Sequence, residues 1–433
     1  MAIPYQGRFF PTHMKIYNLF PRLAGPLHQW KPHLERAADM GFDWIFVNPV
    51  QKLGRSRSLY SIKDYFQIDP WLLNPRSSAA PETQMREIVS QAESLGLGMI
   101  VDLVINHCAY DSALLKQHPE WFVKQGPRIA HPYCMHDGEK VVWRDLAQFD
   151  HLNTSDPEGL YQYCRDVVEY LIGLGFKGLR CDAAYQLPSR FWARLIEETK
   201  RAHPDTVFLA ETLGCSAEQT RETARAGFDF IFNSSKWWDF SSPWLLEQYQ
   251  LTRDIVPSIS FPESHDTARA FAEYQQNIEA IKQRYFFAAL FSAGVMIPMG
   301  FEFGFQKPLH VVHTTPADWE NTSIDLTGYI KQINGIKSRH PVFNEESVTQ
   351  LIDHSNPQIL LMHKTASRKR NEALVILNKD PWNRQNFVSD NLYSLIQSEP
   401  PLFDVSPEWP LDYLPTPFQF ELTPGMGRVL VTQ

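Results

Sequence analysis

The chain of 433 residues exceeds one compact domain, and its 43% hydrophobic and 21% charged residues have an ordinary globular balance that excludes disorder. A formal net charge of −8 argues against a nucleic-acid partner, and no run approaches the roughly 18–20 apolar residues of a membrane span. The five cysteines (Cys108, Cys134, Cys164, Cys181, Cys215) include no CxxC pair, and the chain opens on no basic-then-apolar leader; free thiols in a cytoplasmic protein are the expectation.

Short apolar runs then alternate with helical patterns. Met14–Asn18 precedes a helix over Leu27–Met40, and Asp43–Pro49 (DWIFVNP) is apolar enough for a strand buried on both faces. Helix Glu82–Leu95 leads to strand Gly98–Ile105, after which residues 108–158 lose all period and form a long excursion. Helix Leu160–Leu174 restores the alternation with strand Lys177–Asp182. Helix Ser189–Ala202 leads to strand Thr206–Glu211, and helix Ala217–Ala226 to strand Phe228–Phe232. An aromatic loop (Lys236–Trp244), strand Ile255–Phe261, helix Asn277–Ala293, strand Val295–Gly300 and helix Ile324–Lys337 complete the series. Eight strands with crossover helices are the count of a (β/α)8 TIM barrel, an α/β fold. The expected division is a barrel over 1–107 and 159–341, a loop-rich insertion over 108–158 after the third strand, and an all-β domain over 342–433.

Such a barrel builds its active site where the strands end. The third strand runs out in Asp102-Leu-Val-Ile-Asn106-His107, the fourth in Arg180-Cys181-Asp182 and the fifth in Ala210-Glu211. Glu263-Ser264-His265-Asp266 follows the seventh. One terminal carboxylate is commonly a helix cap; four strand ends carrying carboxylates, histidines and an arginine together point to chemistry. Aromatic residues reach 13%, with 12 Trp, which suits stacking on the apolar faces of sugars.

These segments resemble a known family. VDLVINH, GLRCD, FLAE and FPESHD are similar, in order and strand position, to the four signatures of the α-amylase family of glycoside hydrolases and transglycosylases. LYSIKDYFQIDP (Leu59–Pro70), VMIPMGFEFG (Val295–Gly304) and DLTGYIKQINGIKSRHP (Asp325–Pro341) extend the likeness over residues 14–340, with the family's β-sandwich domain to follow. The resemblance implies a retaining enzyme acting on α-glucans or maltooligosaccharides through a covalent glycosyl intermediate. Asp182 would be nucleophile and Glu211 acid/base, about 5–5.5 Å apart. Asp266 would favour the distorted ring. Arg180 would keep Asp182 ionised, with neighbouring charge and partial burial raising Glu211. Tyr60 would stack on the sugar, His107 and His265 would hydrogen-bond it, and Asp102 would support Arg180.

The reaction requires no cofactor. Many relatives hold calcium at an asparagine matching Asn106, to which Asp145 or Asp150 would add an acidic ligand. The family's histidine four residues after the nucleophile is Gln186 here, and calcium stays an open alternative. Ala183, Tyr185, Gln186 and Ser264 also depart from the family's usual pattern, in what the resemblance implies are acceptor or leaving-group subsites. FVNPV, SLYSIKDYF and FPESHDTAR resemble maltosyltransferases that use maltose 1-phosphate, although Ala183 replaces their asparagine. The implied partner is an α-glucan or oligosaccharide, with neither nucleic acid nor membrane, and no pattern speaks to oligomeric state. The alternatives are maltosyl transfer from a glycosyl phosphate and a non-catalytic carbohydrate-binding member.

Overall fold

Eight apolar runs pair edge to edge into a ring. The computed structural model describes residues 13–136, 139–366, 371–397 and 401–432, with 134–136 by backbone alone. Its barrel strands are Met14–Leu19, Trp44–Val47, Gly98–Leu103, Gly178–Cys181, Val207–Ala210, Phe230–Phe232, Ser258–Ser260 and Gly294–Pro298. All neighbours are parallel, and Met14 opposite Gly294 closes the barrel. Met14, Ile16, Phe46, Ile100, Val207, Leu209, Phe230, Ile259 and Met296 fill the interior. Their alternates Tyr17, Ile45, Val101, Leu179, Phe208, Ile231 and Val295 join the cluster under the helices. Burial of both faces is why these runs read as continuous apolarity. The ladders stop short of several expected ends, because there the backbone turns to present polar side chains.

The helices start on local hydrogen-bonding chemistry. Asp156 caps Pro157–Gly173 by accepting from Gly159 N at 3.0 Å, and Asn277 caps Ile278–Phe291. Ser216 and Gln219 form a reciprocal capping box at Ala217–Ala224. Ser189–Ala202 begins and ends where the sequence places it. The aromatic loop expected over Lys236–Trp244 needs correction: it contains a 3-10 turn at Ser235–Trp237 and runs into a helix, Trp244–Thr252. That helix buries Leu245, Tyr249 and Thr252 at helical spacing, a period hidden by the crowd of aromatics before it.

The excursion is built of short antiparallel pairs: His107–Ala109 with Leu146–Gln148 at its base, and the hairpins Lys124–Gln125 with Arg128–Ile129 and Tyr133–His136 with Glu139–Val142. Another hairpin, Gln51–Leu53 with Ile62–Ile68, follows the second barrel strand and carries Tyr60 in its connecting loop. C-terminal to the barrel, a five-stranded antiparallel sheet runs in the order Val348–Ile352, Ile359–Thr365, Glu372–Asn378, Gly427–Thr432, Leu402–Asp404. It shares one core with the pair Gln385–Ser389 and Phe418–Leu422.

Among the described residues no helix is long and apolar enough to cross a membrane. Cys108, Cys164, Cys181 and Cys215 are free thiols, and the Cys134 side chain lies outside the described residues.

Candidate active site

Arg180 is the hub of the barrel's C-terminal mouth. Pointing up from the fourth strand and almost fully buried, it donates from Nη1 to Asp102 Oδ1 (2.8 Å) and Asp182 Oδ1 (2.9 Å). Its Nη2 lies 3.1 Å from Glu211 Oε1. One guanidinium thus holds carboxylates from the third, fourth and fifth strands, a geometry that suits its planar fork. Glu211 is fixed from its other side by Ala183 N, which donates to Oε2 at 2.7 Å. To reach it, Ala183 adopts φ +42°, a left-handed conformation that strains a residue with a Cβ.

The seventh-strand segment is clamped by a buried pair, Arg269 Nη1 to Glu263 Oε1 at 2.7 Å. His265 Nε2 sits 2.9 Å from Asp266 Oδ2 and 2.6 Å from Tyr60 Oη. Tyr60 stacks on the His265 ring at 5.9 Å and gives its hydroxyl to Asp102 Oδ2 at 2.7 Å. His107 is anchored by Nε2 to Tyr60 O at 3.1 Å, and its Nδ1 is buried without a protein partner.

A cavity of about 320 Å³ joins these groups. Tyr60, Asn106, His107, Asp182, Glu211 and Asp266 line it, with Ala183, Tyr185 and Gln186 from the fourth-strand loop. The excursion adds Pro132, Trp143, Asp145 and Leu146, and two barrel loops add Ser58 and Val311. Trp143, Pro132, Ser58 and Val311 were not read from the sequence; only the excursion's length hinted at a roof. Asn48 was missed too, though it stands where the second strand ends. Ser264 points elsewhere: its Oγ accepts from Asp266 N at 3.3 Å, and it borders a separate void of about 10 Å³ with His265 and Arg180. It is not among the residues that line the cavity.

Electrostatics also revise the expectation for Arg180. Burial pushes the Asp182 carboxyl up to about 6, and Arg180, opposing this, only limits the rise because Asp102 and Asp266 add negative charge. Glu211 is pushed up to about 7, first by burial, with Arg180 again opposing and Asp182 and Asp266 reinforcing. Loss of water therefore contributes more than neighbouring charge. At half-exposed Asp266 the burial of the site is outweighed by the His265 imidazole, which holds the carboxyl below its usual range. Burial lowers His107 to about 4, so it is neutral.

Of the donors named for calcium, Asn106 and Asp145 line the same cavity and Asp150 does not. Asp150 Oδ1 accepts from Leu152 N (3.2 Å) and Asn153 N (2.8 Å), holding a turn. Asn106 turns its amide nitrogen toward Asp182 Oδ2 at 3.5 Å, and its buried Oδ1 has no protein partner. Among the described residues no three His, Cys, Asp or Glu gather as ligands.

Comparisons with known proteins agree with this architecture. Residues 10–130 match a family model described as the glycogen debranching enzyme glucanotransferase domain. The chain is 26% identical over 380 residues to an alpha-1,4-glucan:maltose-1-phosphate maltosyltransferase of Burkholderia pseudomallei, covering 84% of this chain and 33% of that protein. Its identity to the enzyme of that name from Arcanobacterium haemolyticum is 24%, covering 91% of this chain and 61% of the other. The chain thus spans between a third and three fifths of these relatives' lengths. Among solved structures, an alpha-amylase from Lactobacillus plantarum superposes with TM-score 0.77 at 20% identity, covering 98% of this chain and 99% of that one. One from H. orenii gives 0.78 at 15%, with 98% and 100% covered. The chain thus shares the barrel fold of these alpha-amylases and is similar in sequence, along most of its length, to the maltosyltransferases.

Proposed function

We propose that the chain is a retaining α-glucan-active enzyme that forms a covalent glycosyl intermediate on Asp182. The observation that carries this reading is the single guanidinium of Arg180 spanning Asp182 and Glu211 within one cavity. Asp182 attacks the anomeric carbon while Glu211 protonates the departing oxygen, which leaves with the bonding electron pair. Glu211, now a carboxylate, then takes the proton of the acceptor hydroxyl, whose oxygen displaces Asp182 and restores the anomeric configuration. Asp266 and His107 face the sugar, and Tyr60 offers its ring because its hydroxyl is already engaged. No step requires a metal. The free thiols fit a reducing, cytoplasmic compartment.

Transfer is favoured over hydrolysis as the second half-reaction by the likeness to maltosyltransferases along 84% of the chain. The acceptor is then a glucan hydroxyl, and a maltosyl phosphate is the donor to test first. Incubation with maltooligosaccharides, sucrose, trehalose and maltose 1-phosphate, with products identified by mass, separates the outcomes. Phosphate release with glucan growth marks transfer, and new reducing ends mark hydrolysis. Asp182→Asn should abolish turnover of the best substrate, a loss of about 10⁴-fold or more; an unchanged rate would exclude the assignment.

A further inference from the structure

Behind the cavity wall, a chain of side-chain amides connects the first two barrel strands to the nucleophile. Asn18, fully buried on the first strand, donates from Nδ2 to Phe46 O (3.0 Å) and to Asn48 Oδ1 (3.0 Å). These contacts fix the orientation of the Asn48 amide, itself fully buried, so that its Nδ2 donates to Tyr60 Oη at 3.0 Å. The Tyr60 hydroxyl therefore has three partners: Asn48 Nδ2, Asp102 Oδ2 and His265 Nε2. A phenol has one proton and two lone pairs. Asn48 Nδ2 can only donate and an ionised Asp102 can only accept, so the proton points to Asp102 and the lone pairs take the two nitrogens. The other oxygen of Asp102 receives Arg180 Nη1, the same nitrogen that holds Asp182.

We propose that Asn48 is a positioning residue for the nucleophile: by donating to Tyr60 it commits the phenolic proton to Asp102 and so leaves Arg180 available to Asp182 and Glu211. This inference rests on the catalytic reading given above. Without the Asn48 donor, one lone pair of Tyr60 is left unfilled and the hydroxyl is free to swing away from Asp102. Asp102 then loses a hydrogen bond and draws more heavily on Arg180, at the expense of Asp182. The titratable and charged groups facing the Tyr60 hydroxyl are Asp102, Arg180, His265, Asp266 and Asp182, and Glu211 joins them through Arg180. The strands that bring Asn18, Phe46 and Asn48 add no charge here, so Asn48 acts through proton direction alone.

The test uses the full chain with the substrate it turns over best. Asn48→Leu and Asn48→Ser are made in the wild type and in Tyr60→Phe, with kcat, KM, pH profile and Tm measured for each. Asn48→Leu should lower kcat by about 10- to 100-fold. It should move the acid limb of kcat/KM up by about half a unit or more. In the Tyr60→Phe background it should add nothing, because the hydroxyl it acts through is gone. Asn48→Ser, which keeps a donor, should lose less than Asn48→Leu. An unmoved acid limb, or an undiminished loss in the Tyr60→Phe background, would show that Asn48 only packs and would overturn the proposal. If Asn48→Leu does not fold, Asn48→Ala, which also removes the donor, serves for the same two readouts. A wild type that turns over none of the substrates, or is indifferent to Asp182→Asn, sinks the catalytic reading and this inference with it. An unmoved limb in an active enzyme sinks this inference alone.

Discussion

Burial raises the carboxyls of Asp182 and Glu211, the proposed nucleophile and acid, in the order that double displacement needs. With the nucleophile near 6 and the acid near 7, one is ionised while the other keeps its proton only in the interval between. Steady-state kcat/KM should therefore be bell-shaped, rising through about 6 as Asp182 deprotonates and falling through about 7 as Glu211 does. Because both touch Arg180, the limbs belong to the coupled pair. A flat profile across that interval would count against the assignment. The same shifts affect stability. A carboxyl raised on folding contributes stability that is present below its unfolded value and lost as pH rises through the folded one. Glu211→Gln should thus raise Tm by a few degrees above pH 7 and leave it unchanged below 4.5, while abolishing turnover. At this scale the sequence revealed Arg180, Asp182, Glu211 and Asp266, because each interrupts or closes an apolar run. It hid Asn48, which precedes Pro49 and so reads as the start of a turn. It also misjudged the balance at Asp182, since depth of burial is a property of the assembled mouth rather than of any neighbouring residue.

Elements differ in how legibly their period is written. Strands buried on both faces announced themselves, and so did helices with a polar face. The helix Trp244–Thr252 did not, nor did the edge strands Val348–Ile352 and Leu402–Asp404, whose side chains are mostly exposed or half-buried. Hairpins of two to four residues in the excursion are too short to show alternation. They nevertheless present Trp143, whose side chain is 39% exposed beside the cavity. A ring so placed offers a stacking face to a sugar before and during reaction alike. Trp143→Ala should therefore raise KM by about tenfold with kcat little changed, measured on the longest oligosaccharide accepted. A fall in kcat at constant KM would place the ring at the reacting centre instead.

For the whole molecule, the seam between barrel and C-terminal sheet is stitched by buried charged side chains. Glu346 Oε1 accepts from Ser258 N (2.5 Å), Ser258 Oγ (3.0 Å) and Ala293 N (3.3 Å), at the N-terminal ends of the seventh and eighth strands. Lys337 donates to Ala289 O, Ser292 O and Phe343 O, and Lys364 reaches across from the sheet to Phe291 O. Removing the carboxylate leaves those donors and the two lysines uncompensated. Glu346→Ala should cost about 3 kcal/mol of stability and Glu346→Gln less, as read by denaturant unfolding. The kcat of the folded enzyme should hold, because this seam lies at the end of the barrel opposite the cavity. None of this could be foreseen from the sequence, in which Glu346 and Lys364 look like ordinary surface charges; only the packing of one face of the sheet into the core beneath the barrel's helices buries them.

The roof of the cavity enters and leaves the barrel between the third strand and the helix Pro157–Gly173, and Pro132, Trp143, Asp145 and Leu146 all arrive with it. The carboxylates and their arginine belong to strands that close on themselves without it. The proposed cleavage centre and the roof of its cavity thus lie on separate stretches of the chain. Replacing the roof alone should therefore alter what the cavity admits while the carboxylates and their arginine keep their places.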